Sequence, residues 1–222
     1  MGPASRSLRC RSGIDETREV RPLQVVIDPM NAPLRKPLTQ QAFLDWAASR
    51  EERYEFDGFQ PVAMTGGSAD HNRITLNIHL ALRSRLRGSA CSSFGPDLGV
   101  ATLGDAIRYP DALVTCTKFP GTDRTAPDVV VVFEVLSADS GRRDRIDKVR
   151  EYSAVRSIRR YVMAESTGIG LTVLERQSSD EAWKVTILSD HDTLDMPEIG
   201  IAVPVAEFYE DVAFAPDIAA GV

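Results

Sequence analysis

Two acids set the chemistry open to this chain. Glu134 is the only charged residue inside Val129-Val130-Val131-Val132-Phe133-Glu134-Val135-Leu136. A carboxylate in so apolar a run is costly unless it is paired, hydrogen-bonded or bound to a metal. Asp111 follows Pro110 and opens a second apolar stretch, Ala112-Leu113-Val114. Two carboxylates brought together at neighbouring strand ends are hard oxygen ligands. They suit a divalent metal that prefers hard oxygen ligands.

The elements that must position these acids follow from residue pattern. The valine run is β-branched, lacks polar alternation and reads as a central strand buried on both faces. Alternation puts Val132, Glu134 and Leu136 on one face and Val131, Phe133 and Val135 on the other. Upstream, Thr39 caps a short helix over 40–49, and Asp57-Gly58 marks a hairpin between two strands within 53–64. After Gly66-Gly67-Ser68, Ile74, Ile78, Leu82 and Leu86 follow helical spacing over 69–87. Arg83, Arg85 and Arg87 at its end read as a solvated helix terminus or a phosphate-contact patch. Residues 92–102 and 107–116 each read as one strand, 139–155 as a loop and helix, and 160–164 as a further strand. A late hairpin spans 170–175 and 183–188. Helices covering a mixed sheet make the fold class α/β.

Composition narrows the function classes. With 222 residues, 43% hydrophobic and 26% charged, the chain makes one folded domain and is not disordered as a whole. Its net charge of -6 gives no general attraction to nucleic acid, so such contact requires a local basic patch or a bound metal. Cys10, Cys91 and Cys116 lack Cys-x-x-Cys spacing, which predicts free buried thiols, a reducing cytoplasmic setting and no structural zinc. No run approaches the roughly 20 apolar residues of a membrane span. Residues 1–37 and 214–222 read as tails around a domain over 38–213, with Met30 an alternative start. His79 reads as a core or surface residue, His191 has no zinc-ligand spacing, and Ser137 reads as a turn or cap residue.

Several pieces together resemble the Uma2 family (DUF820) of restriction endonucleases, over about residues 38–212. They are residues 39–46, Tyr54-Glu55-Phe56-Asp57-Gly58, Gly66-Gly67-Ser68 with His71, Tyr109-Pro110-Asp111, Phe133-Glu134-Val135-Leu136-Ser137, residues 144–148 and Tyr152. Their shared order carries the likeness. The resemblance implies a PD-(D/E)xK restriction-endonuclease-like core, a mixed β-sheet flanked by helices with extra β-hairpins. It further implies Mg2+-dependent hydrolysis of DNA phosphodiesters, with Asp111 and Glu134 as metal ligands and a lysine assisting the attacking water.

This sequence departs from that pattern at the lysine, whose usual place two residues after the acid holds Leu136. The expected substitute is Lys148, because Asp144, Lys148 and Tyr152 recur at i, i+4 and share a helix face. The plainer account of Lys148 is a surface pair with Asp144. Glu55 is expected to complete the metal's shell or fix the lysine, or else to be a solvated hairpin carboxylate. His71 is an accessory candidate in the same cleft. Arg142, Arg143 and Arg145 are expected to contact the DNA backbone, positioning a duplex without specifying sequence. A homodimer would give each strand its own site. Two other readings are a non-catalytic nucleic-acid or protein interaction module, favoured by Leu136 and the acidic charge, and a metal-dependent phosphohydrolase of small nucleotides.

Overall fold

The computed structural model describes residues 38–137 and 142–214, apart from the side chains of Arg142 and Arg143. The expected tails at 1–37 and 215–222, the start at Met30, and Cys10 lie outside the described residues. Phe214, expected to open the C-terminal tail, instead sets its ring 5.8 Å from that of Tyr209.

The chain runs α1 (Gln40–Ala47), β1 (Tyr54–Phe56), β2 (Pro61–Ala63), α2 (Ala69–Arg85), β3 (Ser92–Phe94), β4 (Val100–Ala101), β5 (Ile107–Arg108), β6 (Ala112–Thr115) and β7 (Val129–Leu136). It continues through α3 (Arg142–Ala154), β8 (Arg160–Glu165), β9 (Leu171–Glu175), β10 (Lys184–Leu188), β11 (Thr193–Met196) and β12 (Ile201–Pro204). A six-stranded mixed sheet has the order β10-β9-β8-β7-β6-β3, a four-stranded sheet the order β2-β1-β5-β4, and β11 pairs with β12. β7 and β8 are parallel, joined through the segment that carries α3.

The two faces of β7 divide as alternation predicts. Val131, Phe133 and Val135 share a buried cluster with Ile74, Ile78 and Leu82 of α2. Val132 and Leu136 share another with Tyr152 of α3 and Tyr161 of β8. Each fully buried aliphatic or aromatic side chain contributes roughly 1.5–3 kcal/mol of burial free energy, so these clusters hold the helices to the sheet. α2 begins where Ser68 accepts the His71 amide on its hydroxyl at 3.1 Å, an N-cap that fixes the helix phase. Leu76 and Leu80 fall off the buried stripe and are exposed. The solvated-end and phosphate-patch accounts of α2 both fail for Arg85, which forms a bidentate pair with Glu207 at 2.7 and 2.6 Å.

Residues 92–102 and 107–116 are each two strands rather than one. β3 and β6 belong to the large sheet, β4 and β5 to the small one. Pro96 and Pro110 lie in the breaks, and proline has no N–H to give a ladder. The second break sets Tyr109-Pro110-Asp111 at the passage between sheets, so Asp111 stands at the edge of both.

The free thiols expected at Cys91 and Cys116 are instead a disulfide. β3 pairs with β6 through Ser92↔Thr115, and one step beyond that pair the two cysteines face each other with Cα atoms 3.8 Å apart. Sequence spacing misses this because the pairing depends on strand register. The argument from thiols to a reducing compartment loses its basis. Among the described residues, no helix is long and apolar enough to cross a membrane.

Candidate active site

The β6–β7 register explains why the two acids meet. Ala112 is opposite Phe133, so the next step sets Asp111 against Glu134, at the C-terminal end of β7. Asp111 Oδ2 accepts the Val135 amide at 2.7 Å, and His71 Nε2 lies 3.4 Å from the same oxygen. His79 Nε2 sits 2.9 Å from the Asp111 backbone carbonyl. Two histidines about two turns apart on α2 thus hold the acid's side chain and main chain. The hydrogen bond to Asp111 raises the His71 pKa against the opposing effect of burial. Gly67 makes room for that ring, since a Cβ there would come within 2.7 Å of His71 Nδ1.

Glu134 is buried, with 6% exposure, and its partners come from α3. Tyr152 donates its hydroxyl to Oε1 at 2.9 Å, and Lys148 donates from Nζ to Oε2 at 3.0 Å. Burial drives the Glu134 carboxyl up to about 7, against the pull of the Lys148 ammonium, and the charges of Asp111 and Glu55 add to the rise. Burial also works against the charged Lys148, but Glu134, Glu55 and Asp144 hold its pKa above the ordinary lysine value. Lys148 does lie near Asp144, at 3.8 Å, yet its closer partner is the strand acid.

Glu55 is buried rather than solvated. On β1, Tyr54 and Phe56 face the α1 cluster with Phe43, and the residue between them faces the opposite way. Its Oε2 accepts from Arg108 Nη1 at 2.9 Å and its Oε1 from the Tyr109 amide at 3.2 Å. Arg108 in turn grips Glu151 of α3, through Nε at 2.6 Å and Nη2 at 2.7 Å. The Arg108 guanidinium therefore ties the hairpin, the inter-sheet passage and the helix bearing Lys148 into one frame.

These groups line a cleft of about 530 Å³ that includes Glu55, His71, Asp111, Glu134, Lys148 and Tyr161. Arg145 lines it as well, whereas the side chains of Arg142 and Arg143 lie outside the described residues. Leu136 is at the cleft wall too, where an aliphatic chain supplies no charge. Among the described residues, no group of three or more His, Cys, Asp or Glu side chains forms a metal cage. Asp111 and Glu134 alone could hold a hard cation that takes its remaining ligands from water and substrate, as Mg2+ commonly does.

Sequence reasoning overlooked Arg108, Glu151 and Tyr161, read His79 as a core or surface residue, and named Tyr152 for the resemblance and for its place on the helix face. Glu151 had a signal, since it lies three residues after Lys148 and so on the same side of α3. Arg108, an arginine between apolar Ile107 and the Tyr109-Pro110-Asp111 passage, had a weaker one. Tyr161 had none, because its neighbour Val132 is set by parallel pairing.

A mixed sheet flanked by helices, with acids at the end of its central strands and a lysine facing them, defines a restriction-endonuclease-like α/β protein. The chain matches the Uma2 family, described as "Putative restriction endonuclease", over residues 40–206, and belongs to that family. It is 28% identical over 189 residues to the uncharacterised protein slr1290 of Synechocystis sp., covering 83% of this chain and 97% of that one. It is 25% identical over 134 residues to the uncharacterised protein sll1609 of the same organism, covering 59% of this chain and 76% of that one. A crystal structure of a "putative nuclease belonging to DUF820" from Anabaena variabilis shares the fold. Its TM-score is 0.61 at 14% identity, covering 78% of this chain and 98% of that one.

Proposed function

We propose that this chain is a Mg2+-dependent endonuclease that hydrolyses phosphodiester bonds in DNA. One observation carries the reading: Asp111, Glu134 and Lys148 converge on one cleft although the strand position usual for the lysine holds Leu136. A surface ion pair would not require Lys148 to be 16% exposed and turned onto a buried strand acid.

The donor set fits Mg2+ or Mn2+. Both candidate ligands are carboxylates, and Glu134 remains an acceptor after its bonds to Tyr152 and Lys148, because each carboxylate oxygen has two lone pairs. Burial chiefly raises the Glu134 pKa and repulsion from Asp111 and Glu55 adds to it; a bound cation relieves that repulsion. When bound, the ion supplies positive charge at the scissile phosphate and acidifies water.

The remaining work falls to the chain. Tyr152 and the Val135 amide fix the two acids in orientation. Lys148 places a proton-donating cation beside Glu134, where it orients water or steadies charge developing on the phosphate. His71 holds Asp111 in place at the cleft wall. Glu55, clamped by Arg108, contributes negative charge that keeps Lys148 protonated. Arg142, Arg143 and Arg145 provide backbone contacts that offset the chain's overall acidity.

The test is calorimetric titration of Mg2+ or Mn2+ into the wild type and Asp111→Ala/Glu134→Ala, with plasmid nicking on the same samples. Loss of both binding and nicking in the double variant is the expected result. Metal-independent nicking by that variant would overturn the reading, and absence of binding in the wild type would favour the interaction module.

A further inference from the structure

The face of β7 that carries Glu134 presents two tyrosines, and only one has a hydrogen-bond partner. Tyr152 and Tyr161 pack with their rings tilted by 57° and ring centres 5.0 Å apart. Tyr152 donates to Glu134. Among the described residues, the buried Tyr161 hydroxyl has no partner, and the same is true of Arg145 Nε. Tyr161 is 1% exposed, yet both residues line the acid cleft.

A buried hydroxyl without a partner bears its full desolvation cost, whereas a phenylalanine would fill the same volume without it. A guanidinium Nε–H can only donate, so two unpaired donors beside one cleft call for an acceptor. The nearby carboxylates accept from other donors, Glu134 from Tyr152 and Lys148 and Asp111 Oδ2 from the Val135 amide, and neither accepts from the Tyr161 hydroxyl or Arg145 Nε. An oxyanion entering the cleft would supply the missing acceptor.

Resting on the nuclease reading above, we propose that the Tyr161 hydroxyl and Arg145 Nε form the cleft's phosphate-oxygen site, donating to a non-bridging oxygen of the scissile phosphodiester. The phosphate's second non-bridging oxygen is then left to Lys148. Parallel register with Val132 aims Tyr161 from β8 to the Glu134 face of the sheet, and Arg145 comes from the first turns of α3. The electrostatic setting agrees: burial chiefly, with Glu134, Asp144 and Asp111, disfavours the phenolate, while Arg145 opposes them. Tyr161 therefore keeps its proton to donate.

Tyr161→Phe separates this role from a structural one. The variant should melt at or above the wild-type temperature without ligand, bind Mg2+ as the wild type does, and nick plasmid with a kcat roughly 10- to 100-fold lower. A second readout needs no cleavage: inorganic phosphate, compared with chloride at equal ionic strength, should raise the wild-type melting temperature. That rise should vanish in Tyr161→Phe and shrink in Arg145→Met. Wild-type nicking with Tyr161→Phe equal to it in rate and phosphate response would overturn the site and leave the nuclease reading standing. A phosphate response lost in Tyr161→Phe, with no nicking by the wild type, would keep the anion site and sink the nuclease reading. A lower melting temperature for ligand-free Tyr161→Phe would also overturn the site, by revealing a partner within the protein.

Discussion

The Lys148 ammonium lies 3.0 Å from the Glu134 carboxylate, joining α3 to β7. A cation thus stands at the strand acid from a position where no strand pattern would place it. If it acts on water or phosphate, Lys148→Met should lower nicking by about 100-fold or more. Mg2+ binding should be retained or strengthened, because a competing cation is gone. Nicking kinetics beside metal titration check this, and wild-type nicking by Lys148→Met would remove lysine from the mechanism.

Glu134 gives the stability of the ion-free protein a particular pH dependence. Its folded pKa is raised from 4.5 to about 7, so between those values the folded chain binds more protons than the unfolded one. Stability therefore falls as pH rises through this window, by up to about 3 kcal/mol from this group. The unfolding free energy of the wild type minus that of Glu134→Gln should fall by the same amount between pH 4.5 and 7. If Mg2+ binds the ionised acid as proposed, saturating metal should reverse that trend. Its affinity should weaken below about pH 7, with proton release seen as a buffer-dependent binding enthalpy.

Arg108 is buried between two carboxylates. Arg108→Met leaves Glu55 and Glu151 without their shared cation and should destabilise the protein by about 3–5 kcal/mol. Combining it with Glu55→Gln should recover part of that loss. Urea unfolding of the single and double variants measures the coupling, and strict additivity would mean that the guanidinium does not link the pair.

The Cys91–Cys116 bond spans a sequence separation of 25 and pins edge strand β3 to β6. Its reduction should lower stability by about 2–4 kcal/mol through the entropy of the opened loop. Mg2+ affinity should hold, since neither cysteine lines the cleft. Melting with and without reductant, with thiol counting by mass spectrometry, tests both statements.

Local pattern carried much of the architecture. The valine run could be read as a two-faced central strand because alternation is a backbone property, and α2 could be read because its apolar stripe repeats at helical spacing. The splitting of 92–102 and 107–116 was less legible. Apolar content alone does not say which sheet a strand joins, although Pro96 and Pro110 mark the breaks.

The site divides in the same way. A lone acid in an apolar strand announces that something must meet it, and helix spacing singles out the face bearing Asp144, Lys148 and Tyr152. These are short-range facts, set by residue type and by backbone geometry that repeats within a few residues. What meets Glu134, what clamps Glu55, which cysteines join and which tyrosine remains unpaired are long-range facts. They depend on strand register and on how α3 packs against β7, and burial then sets the electrostatics, so tertiary structure alone decided them.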